Sequence, residues 1–88
     1  MSIYFFYLLR CNDGSLYAGI TTDVTRRLVE HNSASTKASK YTRSRQPVKM
    51  VYQEKFSSRS KALKREAEVK KWKKQKKEAL ILKWNVNS

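Results

Sequence analysis

The run Ile3 to Leu9, reading Ile-Tyr-Phe-Phe-Tyr-Leu-Leu, is apolar or aromatic at every position, and it limits the available folds more than any other stretch of the chain. A strand with such residues on both faces has to be covered on both faces. It is expected in the middle of a sheet, with further elements packed above and below. It is too short for a membrane span, and no basic leader precedes it as in a signal peptide. With 88 residues in all, the covering elements must come from the same short chain, and the core can only be modest.

The remaining punctuation supplies those elements. Asn12-Asp13-Gly14 is a turn signal, and a second short strand is predicted at 15–20, making a hairpin. Thr22 or Asp23 can cap a helix whose apolar positions Val24 and Leu28 lie four apart, ending near His31 and Asn32. Residues 33–46 lose apolar periodicity and read as a basic loop ending at Pro47. Val48 to Phe56 reads as a third strand at or near an edge, with Val48, Met50, Tyr52 and Glu54 alternating with Lys49, Val51, Gln53 and Lys55. Ser57 and Ser58 precede a long helix at about 59–74, and Glu78 to Trp84 reads as a second, shorter one. The expectation is one α+β domain over residues 1–88, a small three-stranded antiparallel sheet flanked by helices in the order ββαβα(α).

Charge narrows the partners. There are 20 Lys and Arg against 7 Asp and Glu, a net +13, and so dense a charge repels itself unless an anion binds. Nucleic acid, DNA first and RNA as the alternative, is the expected partner. The basic residues are spread over several segments with no lipid-facing apolar stripe behind them, which argues against a membrane surface. The one cysteine, Cys11, cannot form an internal disulfide and suits a reducing cytoplasm. One Cys and one His are too few for a tetrahedral zinc cage.

Charged groups on faces that should be buried are the next signal, since each costs free energy unless paired or used. Ala62, Leu63, Val69 and Trp72 mark the inward stripe of the long helix, and Glu66 falls on it. On the first helix Val24, Arg27, Leu28 and His31 share a side. Two readings fit: Arg27 and Glu66 form a half-buried ion pair, or they belong to a site. His31 likewise reads as a helix-terminal hydrogen-bonding residue or a working one.

The hairpin and first helix together resemble the GIY-YIG nuclease superfamily. The first signature is represented by Phe5-Phe6-Tyr7 and the second by Tyr17-Ala18-Gly19, with Arg27 ten residues after Tyr17 and Glu66 on a later helix. The match to small stand-alone bacterial members runs on through Leu9-Arg10-Cys11, Asp13 to Tyr17, Gly19 to Asp23, Arg26-Arg27-Leu28, His31-Asn32, Lys40-Tyr41-Thr42-Arg43, Arg45, Pro47-Val48 and Val51-Tyr52. It therefore covers nearly the whole chain. Neither the first Gly nor the Ile of the namesake tripeptides is kept. Ile20 stands where some repair members carry a lysine, which removes an auxiliary positive charge.

The resemblance implies one-step hydrolysis of DNA phosphodiesters with a divalent metal, Mg2+ or Mn2+, held by Glu66 as the sole protein ligand. It implies that Arg27 binds the scissile phosphate and that Tyr7 orients or deprotonates the attacking water. A phenol near pKa ~10 is a poor base at neutral pH, so Arg27 and the metal would have to lower it. Tyr17 would position the nucleophile or a phosphate oxygen, and His31 would assist as hydrogen-bond partner or alternative base. Without the family pattern, each tyrosine reads equally as a packed strand aromatic.

One geometric expectation does not lean on the family. A three- or five-residue hairpin loop pairs Tyr7 with Gly19 and Leu9 with Tyr17, which puts both tyrosines on one face; a two-residue turn separates them. For DNA contact, the candidates are Arg26 on the first helix and Lys37, Lys40, Arg43, Arg45 and Lys49 in or beside the basic loop. Lys70, Lys73 and Lys74 on the later helix join them. Tyr41 either stacks on a base or anchors its loop. No base-reading module is present, so weak sequence preference is expected, with repair or recombination as the setting. The competing classes are a binding module with the same fold that does not cut or needs a partner to do so, and a basic structural protein.

Overall fold

The apolar run does become the central strand. In the computed structural model, which describes residues 2–33 and 37–87, β1 (Tyr4–Arg10) lies between β2 (Leu16–Thr21) and β3 (Lys49–Phe56), antiparallel to both. Side chains alternate across the sheet. Phe6 and Leu8 pack on one face with Ala18, Tyr52, Val69 and Ile81, flanked by Trp72, Leu80 and Trp84. Tyr7 and Leu9 pack on the other with Cys11 and Val48, flanked by Tyr17, Leu28, Tyr41 and Met50. Phe6, Tyr7, Leu8 and Leu9 are all essentially inaccessible to solvent. Burying each apolar side chain of this size contributes about 1.5–3 kcal/mol, so this one strand anchors both halves of the core.

The hairpin register is the one the two tyrosines require. Tyr7 faces Gly19 and Leu9 faces Tyr17, and the ladder closes on Cys11 N–H donating to the Ser15 carbonyl at 2.9 Å. The loop between the strands spans Cys11 to Ser15. Gly14, at φ +84°, takes the left-handed conformation that only glycine adopts without strain. The Asp13 carboxylate accepts from the Ser15 backbone N–H at 3.0 Å and braces the turn.

On β3 the expected alternation is broken. A register shift opposite Leu8/Leu9 pairs Leu8 with Tyr52 but Leu9 with Met50, leaving Val51 as the extra residue of a bulge. Val48 and Met50 therefore join the Tyr7 face while Tyr52 joins the Phe6 face. A strict period of two had put all three on one side.

Four helices among the described residues complete the fold. Asp23, not Thr22, caps α1 (Val24–His31), accepting from the Arg26 N–H at 3.0 Å. The predicted basic loop contains a single helical turn, α2 (Lys40–Arg43), capped by the Ser39 hydroxyl; residues 34–36 of that loop lie outside the described residues. Its inward residues are Ala38 and Thr42, too few and too polar to register as periodicity. The last helices break earlier than expected, into α3 (Arg59–Lys70) and a longer α4 (Lys74–Asn87). An unbroken helix over that span would be about 43 Å long at 1.5 Å per residue, whereas the protein's largest extent is 33 Å. The turn at 71–73 lets Ile81 reach the core that Val69 also fills. α4 is pinned to the hairpin by the Arg10–Glu78 ion pair and by Lys74, which donates to the Gly14 carbonyl at 2.9 Å. No helix among the described residues is long and apolar enough to cross a membrane.

Candidate active site

The Tyr7 side chain starts on the central strand and ends over β2. A Cβ on Gly19 would stand 2.4 Å from the Tyr7 hydroxyl oxygen and 2.6 Å from Cζ, so the phenol lies flat against a strand position that has no side chain. β2 is an edge strand. The hydroxyl is thereby carried from the middle of the sheet to its rim. There it is hydrogen-bonded to His31 Nε2 at 2.8 Å, and His31 Nδ1 in turn bonds Thr42 Oγ1 at 2.8 Å.

His31 is held by its backbone as well. Its carbonyl accepts from Gln46 Nε2 at 2.8 Å. The next residue, Asn32, accepts from Val48 N–H at 2.7 Å and donates to the Val48 carbonyl at 3.0 Å. The end of α1 is thus fastened to the start of β3.

Burial dominates the protonation of both groups. Desolvation pushes Tyr7 up to about 12, although the Arg27 guanidinium pulls the other way; Tyr17 and Glu66 push it further up. Arg27 thus lowers the phenol as expected of it, without bringing it below its ordinary value. The guanidinium does act on the phenol, but removal of the phenol from water outweighs it. Desolvation, aided by repulsion from Arg27, brings His31 down to about 4. At neutral pH the phenol is protonated and the imidazole uncharged, so one ring nitrogen donates and the other accepts.

His31 is the only histidine in the chain, and its shift has a sign that can be measured. Between pH 6.5 and 4 the unfolded chain takes up a proton that the folded one refuses, so stability is full above 6.5 and falls toward 4. A depression from 6.5 to about 4 is worth about 3 kcal/mol. Urea unfolding of wild type and His31→Gln across this range is expected to show the larger loss in wild type, the difference being the histidine's share.

The remaining candidates approach from several elements. Tyr17 on β2 meets the His31 ring edge-on at 5.1 Å between centroids and stacks on Tyr41 at 5.8 Å. Tyr7 and Tyr17 therefore face the same histidine. Arg27 on α1 is aimed by Glu30, at 3.0 Å, and by the Lys37 carbonyl, at 2.7 Å. Glu66 arrives from α3, packed on the opposite face of the sheet, and its charge reaches Tyr7. The half-buried Arg27–Glu66 ion pair, one of two readings of the sequence, does not form. Arg27 pairs with Glu30, and Glu66 pairs with Lys70 at 3.4 Å.

Among the described residues no three His, Cys, Asp or Glu side chains gather as a metal cage. Glu66 is a carboxylate whose charge acts on Tyr7. It is 18% exposed, with Lys70 its ion-pair partner among the described residues. Such a donor set suits a hard cation that keeps most of its waters, as Mg2+ does, and not one that needs several protein ligands.

A family model described as the GIY-YIG catalytic domain matches residues 3–79. The chain belongs to that family. It is 47% identical over 81 residues to a UPF0213 protein of Staphylococcus epidermidis, covering 92% of this chain and 96% of that one. It is 49% identical over 79 residues to a UPF0213 protein of Listeria welshimeri, covering 90% and 86%. Two structures solved by solution NMR are similar. One, a UPF0213 protein of Bacillus halodurans, has a TM-score of 0.57 at 46% identity and covers 90% of this chain and 82% of that one. The other, a protein of E. faecalis, has a TM-score of 0.64 at 40% identity and covers 98% and 90%.

Within this GIY-YIG domain the basic candidates divide into two groups. Arg45 is spent internally: it pairs with Asp13 at 3.0 Å, and its guanidinium sits 4.0 Å from the centre of the Tyr41 ring. Tyr41, stacked on Tyr17 and covered by Arg45, anchors its loop. Lys74 is engaged at Gly14. Arg26, Lys37, Lys40, Arg43, Lys49, Lys70 and Lys73 all expose their side chains.

Sequence reading gave no role to Gly19, Ser39 or Thr42. The spacing of Ser39 and Thr42, a hydroxyl three residues ahead of the N–H it accepts from, is the one local signal that marks them as a helix cap.

Proposed function

We propose that this GIY-YIG domain is a metal-dependent endonuclease that hydrolyses DNA phosphodiesters with weak sequence preference, in repair or recombination within the cytoplasm. One observation carries the reading: Tyr7, on the central strand, is hydrogen-bonded to His31, whose ring Tyr17 also meets, and lies under the charges of Arg27 and Glu66, residues from three other elements.

Arg27, held at one nitrogen by Glu30 and the Lys37 carbonyl, has the rest of its fork to bind the scissile phosphate and offset charge growing on it. Tyr7 orients the attacking water and takes its proton while handing its own to His31, which is neutral and able to accept. Tyr17, packed against the same imidazole, holds a phosphate oxygen or the nucleophile. Glu66 is the residue to hold Mg2+ or Mn2+. Such an ion supplies charge neutralisation at the leaving oxygen.

One observation favours a second reading, a DNA- or RNA-binding module that does not cut unaided: Tyr7 at about 12 does not ionise near neutrality. The two are separated by assaying wild type, Glu66→Ala and Tyr7→Phe with magnesium or manganese on plasmid, branched and single-stranded DNA. Wild type is expected to cut, Tyr7→Phe to cut about 10²-fold more slowly, and Glu66→Ala to bind without cutting. A wild type that binds all three substrates and cuts none would leave the module.

A further inference from the structure

The hydrogen-bond chain at Tyr7 does not stop at His31. Tyr7 Oη, His31 Nε2, His31 Nδ1, Thr42 Oγ1 and Ser39 Oγ follow one another with each bond at 2.8 Å. His31 and Thr42 are sealed from solvent, Tyr7 keeps 1% of its surface exposed, and Ser39 is half-buried at the far end. Every member can both give and accept a proton. Thr42 Oγ1 also has the Ser39 carbonyl within reach, at 3.3 Å. Ser39 Oγ is fixed by the Thr42 backbone N–H at 3.1 Å.

We propose that Thr42 and Ser39 complete a proton path from the Tyr7 hydroxyl to solvent, with Thr42 acting as a positioning residue that fixes the tautomer of His31. The proposal rests on the nuclease reading and extends it beyond the residues grouped around Tyr7. In the resting arrangement Tyr7 donates to Nε2, Nδ1–H donates to Thr42, and Thr42 donates to Ser39. This leaves a Tyr7 lone pair for the attacking water.

As the water loses a proton to Tyr7 Oη, the Tyr7 proton passes to Nε2. The Nδ1 proton then passes to Thr42 Oγ1, that of Thr42 to Ser39 Oγ, and that of Ser39 to bulk water. The water's oxygen bonds to phosphorus, and the leaving oxygen departs with the electron pair of the broken P–O bond. One proton enters the chain and one leaves. No member ends charged, which matters because burial disfavours both a Tyr7 phenolate and a His31 imidazolium. Rotation of the hydroxyls and return of the imidazole proton restore the start.

The path makes a claim about the protein without DNA. Nitrogen-15 NMR of the imidazole is expected to find the proton on Nδ1 in wild type and Thr42→Ser, which keep an acceptor there. In Thr42→Val, which keeps the shape and removes the hydroxyl, it is expected on Nε2. With DNA, kcat of Thr42→Val is expected to fall about 10²-fold at unchanged KM, the lower end of what proton transfer by a positioned group contributes, and Thr42→Ser to recover it. Ser39→Ala, which leaves Thr42 the Ser39 carbonyl, is expected to keep the Nδ1 tautomer and still lower kcat; it also serves if Thr42→Val fails to fold. A wild-type proton on Nε2, or full kcat in both Thr42→Val and Ser39→Ala, overturns the path and leaves the nuclease reading standing. A wild type that cuts no DNA, with the tautomers as expected, overturns the nuclease reading and with it the path's purpose.

Discussion

Gly19→Ala is expected to slow cleavage by about 10²–10⁴-fold, as much as the loss of a positioned acid or base, and to cost about 1–3 kcal/mol of stability as an overpacked core does. The added methyl would sit 2.4 Å from the Tyr7 hydroxyl oxygen, well inside van der Waals contact. An exposed tyrosine would swing aside at little cost. This one is buried and bonded to His31, so displacement breaks that bond and leaves a buried polar pair unmatched. Thermal melts and cleavage rates measured together give the check. The Tyr7→Phe, Gly19→Ala double variant, which has no hydroxyl to collide, should regain part of the stability and none of the activity. An alanine variant that cuts at the wild-type rate would mean the phenol does not work where it lies.

DNA affinity is expected to fall about 10³-fold between 50 and 200 mM salt, the lower end of the range for six to ten phosphate contacts. Of the candidates beside the site and on the later helices, Arg45 and Lys74 are spent on internal contacts. Lys70 already pairs with Glu66; the other six, Arg26, Lys37, Lys40, Arg43, Lys49 and Lys73, all expose their side chains. Six contacts correspond to a slope of log affinity on log salt near about −5. Lys40→Ala or Arg43→Ala should reduce that slope by about 1. Arg45→Ala should leave it alone and instead lower the melting temperature, because it unpairs Asp13 and uncovers Tyr41. A flat salt response would exclude backbone-dominated binding.

What the residues revealed in advance, and what they hid, follows the range over which each force acts. The central place of β1, the shared face of Tyr7 and Tyr17, and the capping of α3 by Ser58, whose hydroxyl accepts from the Lys61 N–H, are products of local pattern: a doubly apolar run, the period of two, and a hydroxyl before a helix. The bulge at Val51 is not local. It arises because Val48 and Tyr52 are each drawn to a different half of the core, and only the assembled sheet contains both. The turn at 71–73 is likewise set by the width of the sheet that α3 and α4 cover. In the site, Arg27 and Glu66 stood out because charge on an inward face is conspicuous. Thr42 did not, since a threonine among lysines and arginines looks like any loop residue until the imidazole that it bonds is in place. The net upward shift of Tyr7 was hidden for a related reason: a neighbouring arginine is visible in the pattern, whereas depth below the surface is not.

The helix α4 bears on how this domain could be moved between proteins. The match to the family model ends at residue 79, yet Leu80, Ile81 and Trp84 lie just beyond it and close the core over Phe6, Leu8 and Tyr52. The recognisable portion and the portion that holds itself together are therefore different lengths. A graft of residues 3–79 onto a DNA-targeting partner would carry Tyr7, Arg27 and Glu66 but leave one side of the sheet uncovered, whereas a graft extended through Trp84 would carry its own lid.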